Sequence, residues 1–502
     1  MDWGFWLPQI MLFSSLIPAL VIFLLRDEQF WLRTSLNLGG SAVKLVLAGI
    51  MAWGVLAEGR TYEASLPFLH NQELVLRVEP LSLMLVGLSS VLWFITTIYA
   101  IGYLENSPNR TRFFGFFSLC VTATIGIALA GNLITFLIFY EMLSVVTYPL
   151  VVHRGTPAAL AAGRTYLLYT LGGGVLLLLG IIWLQVLAGP VSFEPGGTID
   201  FLLDDHRTEL TVIFGLLIAG LGVKAAIVPL HRWLPEAMIA PAPVSALLHA
   251  VAVVKAGAYG IVRVVYDVYG LELSNQLNVL LPLALFAGFT IIYGSVRALG
   301  EFDLKRRLAY STVSQVSYIA LGTALLGPAA TVGATVHLIH QGIMKITLFF
   351  CAGVFAEARH IHDIREMSGV GRSMPLTMSA FTLGAFGMIG VPPLAGFVSK
   401  WYLGIGSLES NAPWVIVILV ASSVMNAAYF LPIVYKGWFG EPHEEIDVVE
   451  AERFQVAEAP WSLLGPALAT AGISLLAGLL AAWAYSPLSL AEIVANQRMI
   501  SP

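Results

Sequence analysis

Charge is what this chain has least of: 11% of its 502 residues are Asp, Glu, Lys or Arg, where a soluble domain carries about a quarter. So few charges cannot clothe a water-exposed surface of this size. Cysteine is almost missing too. Cys120 and Cys351 both stand inside apolar runs, far from each other and from any ligand-spaced histidine, so neither a disulfide framework nor a metal site is expected. The net charge of -5 is small for the length and gives no reason to expect a nucleic-acid partner. No catalytic or cofactor-binding motif stands out. Gly172 to Gly174 fall within an apolar run and not after a strand, which reads as close helix packing and not as a dinucleotide loop.

What is there instead is apolar length. Of all residues 58% are hydrophobic, and stretches of the roughly 20 residues that cross a bilayer follow one another from Phe5 to near Ala482. About fourteen spans are expected, beginning near Phe5, Leu36, Leu81, Phe113, Leu133, Thr165, Thr211, Val244, Leu277, Leu308, Thr331, Leu376, Pro413 and Trp461. The first opens on Asp2 and not on a basic region, which argues against a cleaved signal peptide. The longest polar connections, Glu58 to Glu79, Gly189 to Glu209, Glu357 to Ser373 and Lys436 to Glu458, are too short for a soluble domain. The expected architecture is one all-α polytopic membrane domain over residues 1–502.

With alternating spans, one set of loops collects most of the basic residues, among them Arg26, Arg33, Arg110, Arg112, Arg154, Arg297, Arg306, Arg365 and Arg453. The other holds little beyond Arg60, Arg77, Arg207 and Arg263. The asymmetry predicts that the first set is cytoplasmic and that both termini face out. The acids of the outer loops, such as Asp200 and Glu209, read as solvation of a surface.

Ionisable residues inside the spans are costly and call for a functional reading. Glu141 lies in FLIFYEMLSVVTYPLVV, Lys224 in FGLLIAGLGVKAAIVPL, Lys255 in LLHAVAVVKAGAYGIV and Lys345 in HLIHQGIMKITLFFCAG. Lys400 follows VPPLAGFVS, and His249, His337 and His340 accompany these charges. Static ion pairing would be balanced in sign, yet four lysines face one glutamate. Burial and mutual repulsion let a lysine become neutral, so this surplus suits side chains that give up and regain protons. Residues four apart share a helix face, which places His337, Gln341 and Lys345 on one stripe, and Lys255 and Tyr259 on another. These stripes are expected to form parts of a hydrogen-bonded wire.

Two spans are interrupted. The seventh runs through Lys224 and meets Pro229, Pro235, Pro241 and Pro243; the twelfth holds Gly390, Pro392, Pro393 and Gly396 before Lys400. Broken helices in two halves point to inverted repeats with the ion route at the breaks. The expected repeats are residues 113–265 and 276–437, five helices each, with Lys224 and Lys400 in equivalent places.

The run PLHRWLPEAMIAPAPVSALLHAVAVVKAGAYGIVR, Pro229 to Arg263, resembles the signature of the antiporter-like subunits shared by respiratory complex I, membrane-bound hydrogenases and Mrp-type cation/proton antiporters. The Glu-bearing fifth span and the stretches HLIHQGIMKITLFFCAG and VPPLAGFVSKW extend the likeness over nearly the whole chain. It implies a proton path in which Glu141 pairs with Lys224, Lys255 links the halves and Lys400 ends the route, with His249, His337 and Lys345 as connecting groups. Lys400, where one complex I subunit has Glu, and the absence of a long lateral helix make the chain most like the D-type member of the Mrp subunits. The resemblance implies a proton-translocating subunit of a Na+/H+ antiporter, with other membrane subunits as partners, in the inner membrane of a prokaryotic cell and without a cofactor of its own. The alternative is a proton-pumping subunit of a complex I-like or hydrogenase-like enzyme.

Overall fold

The computed structural model describes residues 3–69, 72–104, 107–441 and 458–499. Arg453 and most of the connection from Lys436 to Glu458 lie outside the described residues, as does Asp2.

Seventeen principal helices follow in order: α1 Trp3–Phe23, α2 Phe30–Leu56, α3 Pro80–Tyr103, α4 Arg110–Leu129, α5 Leu133–Val151, α6 Pro157–Ala188, α7 Leu203–Lys224, α8 Ala242–Ala250, α9 Val253–Arg263, α10 Leu280–Leu299, α11 Leu304–Thr323, α12 Pro328–Arg359, α13 Pro375–Ile389, α14 Ala395–Glu409, α15 Trp414–Phe439, α16 Trp461–Leu479 and α17 Pro487–Met499. Their starts follow local chemistry. Asn132 accepts from the Thr135 amide at 2.8 Å, Thr156 accepts from Ala159 ahead of Pro157, and Asp303 accepts from Arg306; each side chain satisfies an amide that the first turn leaves open.

Among the described residues, twelve helices are long and apolar enough to cross a membrane. Two expected spans are not among them. The one beginning near Leu308 is α11, a buried helix dense in Ser, Thr, Gln and Tyr, and the one beginning near Leu376 is two half-helices, α13 and α14, of 15 residues each. Outward faces carry bare apolar side chains, among them Leu168, Val175 and Val186 on α6 and Val417, Val420 and Val424 on α15. In water such a surface would be costly; against lipid tails it is not.

At the centre lies α12, 32 residues long and buried throughout its core-facing length, packed by α3, α8, α11, α13, α14, α16 and α17. The connection between α2 and α3 is not irregular, as a loop reading would have it. It is an antiparallel hairpin, β1 Tyr62–Leu69 and β2 Gln72–Val78. Its Val75 amide donates to Thr135 and its Val75 carbonyl accepts from Gly131, which fastens it over the start of α5.

Both expected breaks are present and end alike. At the end of α7, Ile227 N donates to Gly222 O at 2.9 Å and Ala226 N to Val223 O at 3.1 Å; at the end of α13, Val391 N donates to Phe386 O at 3.0 Å and Gly390 N to Gly387 O at 3.1 Å. This paired 6→1 and 5→2 pattern closes a helix with one left-handed residue. That residue is Gly390 in one break and, at φ +56°, Ala226 in the other. The lysines are placed differently, however. Lys224 is the last residue of the helix before its break, whereas Lys400 stands on α14, after its break, so their expected equivalence does not hold.

Candidate functional site

The half-helix ends leave backbone carbonyls with no intrahelical partner, and a lysine lies near each break. Lys400 Nζ donates to Met388 O at 3.0 Å, to Ile389 O at 2.8 Å and to Ser423 Oγ at 2.9 Å. The first two are the closing carbonyls of α13, the negative end of its dipole. Across the other break, Lys224 donates to Tyr140 O and its ammonium lies 3.3 Å from the centroid of the Tyr140 ring. Trp233, in the short helix Trp233–Glu236, reaches back to Val223 O at 2.7 Å.

Glu141 and Lys224 are not joined by an ion pair. Glu141 Oε1 is buried without a hydrogen-bond partner, while each charge lies in the field of the other. The carboxylate fits against α6 because residue 174 is glycine; a Cβ there would collide with Oε1.

From Lys345 the polar contacts can be followed to Lys400. Lys345 Nζ donates to Ser311 Oγ at 2.8 Å, and that hydroxyl is hydrogen-bonded to Tyr429 Oη at 3.0 Å. Tyr429 also bonds to Asn426, which donates to Met388 O at 3.1 Å, the carbonyl that Lys400 holds. A second approach runs through α12. The His337 and Tyr318 rings lie 5.3 Å apart, His337 Nδ1 is 2.8 Å from Ser399 Oγ, and the Lys400 ammonium is 5.6 Å from the Tyr318 ring.

Lys255 stands on α9, buried. Its Nζ is buried with no hydrogen-bond partner, and its charge reaches both His337 and Lys345. Gly257, two residues on, lets α9 lie directly on the first break, since a Cβ there would collide with the Ala225 amide nitrogen. His249 stacks on Phe349 at 4.5 Å, and His249, His340 and Gln341 leave their side-chain nitrogens unpaired, with the Gln341 oxygen unpaired as well. All eight expected ionisable residues therefore lie on the interior helices, and along the expected stripes the side chains make no direct hydrogen bond to one another. No hydrogen bond joins His337 to Gln341 or Gln341 to Lys345; the connections run between helices, through Ser311, Asn426, Tyr429 and Ser399, which a reading limited to charged residues passes over. Of the expected break prolines, Pro235 is buried in the short helix, and Pro229, Pro392 and Pro393 face outward.

Three features went unread in the sequence. Arg263, expected in an outer loop, is buried at the end of α9 with an exposure of 1%. It pairs with Glu79 and with Asp267 Oδ2 at 2.7 Å, and Asp267 is held from the other side by Arg498 of α17 at 2.8 and 2.9 Å. Tyr259 belongs to this cluster and not to Lys255: its hydroxyl accepts from Arg263 Nε and donates to Ala128 O. Lys44, fully buried on α2, is the third, though a lysine within SAVKLVLAG is the same signal that singled out Lys255. Among the described residues no group of three or more His, Cys, Asp or Glu could hold a metal ion.

The fold and this interior define a polytopic helical membrane subunit of the antiporter type. A family model described as "NADH:quinone oxidoreductase/Mrp antiporter, TM" matches residues 130–426. The chain is 33% identical over 474 residues to NADH-quinone oxidoreductase subunit N of Desulforudis audaxviator, covering 90% of this chain and 93% of that one. It is also 33% identical over 386 residues to NADH-quinone oxidoreductase subunit L of Mycobacterium tuberculosis, covering 74% of this chain and 59% of that one. In fold it is similar to a chain of the Mrp complex from Dietzia, with a TM-score of 0.86 at 22% identity and coverage of 99% and 98%. The chain belongs to the membrane-embedded family shared by NADH:quinone oxidoreductases and Mrp antiporters.

Proposed function

We propose that this chain carries protons across the membrane along the row Glu141, Lys224, Lys255, Lys345 and Lys400, with His249, His337 and His340 beside it, as one subunit of a larger membrane assembly. One observation carries the reading. The lysines of this row are bound by carbonyls, hydroxyls and an aromatic ring, or by nothing, and none is within ion-pair distance of a carboxylate. A permanently charged, uncompensated ammonium in such a place costs several kcal/mol. A lysine that alternates between charged and neutral avoids much of that cost and thereby moves a proton. In this reading residues 113–265 and 276–437 are two inverted repeats, each contributing half of the path, and opening or closing the Glu141–Lys224 pair changes the proton affinity of Lys255.

The driving assembly is proposed to be of the Mrp type, a monovalent cation/proton antiporter in a prokaryotic cell membrane with both termini outside. The TM-score of 0.86 to a chain of the Mrp complex and the lysine at position 400 support this. Carboxylates within the spans are scarce, so Na+ would cross through a partner subunit. The second reading, a redox-driven pump, is favoured by the sequence relation to a subunit N over 93% of its length. Purifying the native assembly and reconstituting it in vesicles tests both. Proton movement coupled to a Na+ gradient, with no flavin or iron-sulfur absorbance, supports antiport. Proton movement that needs a quinone and a reductant supports the second reading, and no proton movement under either drive overturns the proposal.

A further inference from the structure

Outside both proposed halves, α1, α2 and α4 enclose a polar seam that ends on a buried cation. Arg33, Asn37, Ser41 and Lys44 form one buried stripe of α2. At the arginine-rich edge, Arg33 donates to Thr111 Oγ1 at 3.1 Å, and Asp27 accepts from the Thr111 amide at 2.9 Å. Deeper, Ser118 Oγ donates to Asn37 Oδ1 at 3.0 Å, and Thr122 Oγ1 donates to Ser15 Oγ at 2.9 Å. Beyond Ser15, Lys44 Nζ donates to Met11 O at 2.9 Å. Counting about 1.5 Å per residue, Lys44 lies roughly 20 Å along α2 from Phe30, near mid-membrane.

Among the described residues no carboxylate pairs with this ammonium, whose one hydrogen bond goes to the Met11 carbonyl. The described parts of α1 and α3 contain no Asp, Glu, Lys, Arg or His, α4 has only Arg110 and Arg112 near its start, and Arg33 is the other charge on α2. On the far side Lys44 faces the Trp93 ring of α3 at 5.4 Å. Ser89 Oγ, Trp93 Nε1 and Thr96 Oγ1 are spaced for one face of α3, and all are buried without partners. The same helix packs on α12, the central helix of the lysine row. A seam that leads from the membrane edge to an unneutralised lysine, which in turn faces a row of unpaired polar groups on α3, has the form of a branch and not of a packing contact.

We infer that Lys44 is a further proton-exchanging site, reached from the arginine-rich membrane edge through the seam of α1, α2 and α4. The step is exchange alone: the ammonium releases one proton, becomes a neutral amine and is recharged by one proton from the seam. The inference rests on the proton-carrying function proposed above.

Proton movement by the reconstituted assembly tests it with two independent changes. Lys44→Arg keeps the charge and the donors to Met11 O but cannot lose its proton; Ser15→Ala with Thr122→Val interrupts the seam and leaves the lysine. Each is expected to slow proton movement by roughly tenfold or more, less than the roughly hundredfold or greater effect of a placed acid–base group because Lys44 is a branch, with subunit composition unchanged. Unaltered rates in both would overturn the inference, and where Lys44→Arg prevents assembly the seam pair decides. Glu141→Gln measured in parallel separates the two proposals: if it stops proton movement while the seam variants do not, only Lys44 falls.

Discussion

The Lys224 ammonium rests 3.3 Å from the centroid of the Tyr140 ring and donates to the Tyr140 carbonyl, one residue away from the carboxylate expected to be its partner. Glu141 and Lys224 are thus not within ion-pair distance of each other, and Glu141 Oε1 has no hydrogen-bond partner. In the proposed proton path, movement of this ammonium from the ring face and carbonyl to the neighbouring acid would supply the two-state element that such a path requires.

Lys224→Ala and Glu141→Ala are therefore expected to abolish proton movement while the assembly keeps its subunits. Flux in vesicles together with the composition of the purified complex checks this. The exchange of Glu141→Lys with Lys224→Glu is the sharper measurement, because a purely structural pair would survive it and a directional path would not.

Lys400 should resist replacement by an acid. Its ammonium is held by Met388 O, Ile389 O and the Ser423 hydroxyl, and two of these three can only accept a hydrogen bond. A carboxylate from Lys400→Glu would face those carbonyls uncompensated, so proton movement is expected to fall by about tenfold or more unless a compensating donor is supplied. Ser423→Ala, which leaves both carbonyls in place, should cost only a few-fold in the same assay.

The cluster joining α17 to α9 should behave as a buried ion network. Asp267→Asn leaves Arg263 and Arg498 with less compensation and is expected to destabilise by about 3–5 kcal/mol. Adding Arg498→Met removes the stranded charge and should recover much of that loss, since Arg263 keeps Glu79. Thermal unfolding of the purified assembly, run as a double-mutant cycle, checks both values; purely additive losses would contradict the network.

At the first break Ala226 takes the left-handed backbone that Gly390 takes at the second. Ala226→Gly is expected to stabilise by about 1 kcal/mol, and Gly390→Ala to destabilise by a similar amount. Unfolding midpoints in one detergent suffice to test the opposite signs.

Much of this was legible in the sequence for physical reasons. Membrane embedding follows from composition, because a bilayer selects apolar length directly. Glu141, Lys224, Lys255, Lys345 and Lys400 stood out because a charge among apolar neighbours has no cheap explanation, and the breaks were marked by proline and glycine. The β-hairpin was less visible, since its short alternating strands lie in a segment that reads as a polar connection. Lys44 carried the same signal as the other lysines but lies far from any signature.

The sequence by itself determined that this is a many-helix membrane protein with ionisable groups in its interior and two interrupted helices, since both properties depend on which residues are neighbours along the chain. Only the tertiary structure decided how those groups connect. Hydrogen bonds between Lys345, Ser311, Tyr429, Asn426 and the carbonyl at Met388 link four helices, and Arg498 meets Asp267 from 231 residues away. Such contacts depend on how helices cross in space, and serines, tyrosines and asparagines look the same in a sequence whether they face lipid, a packing partner or a proton path.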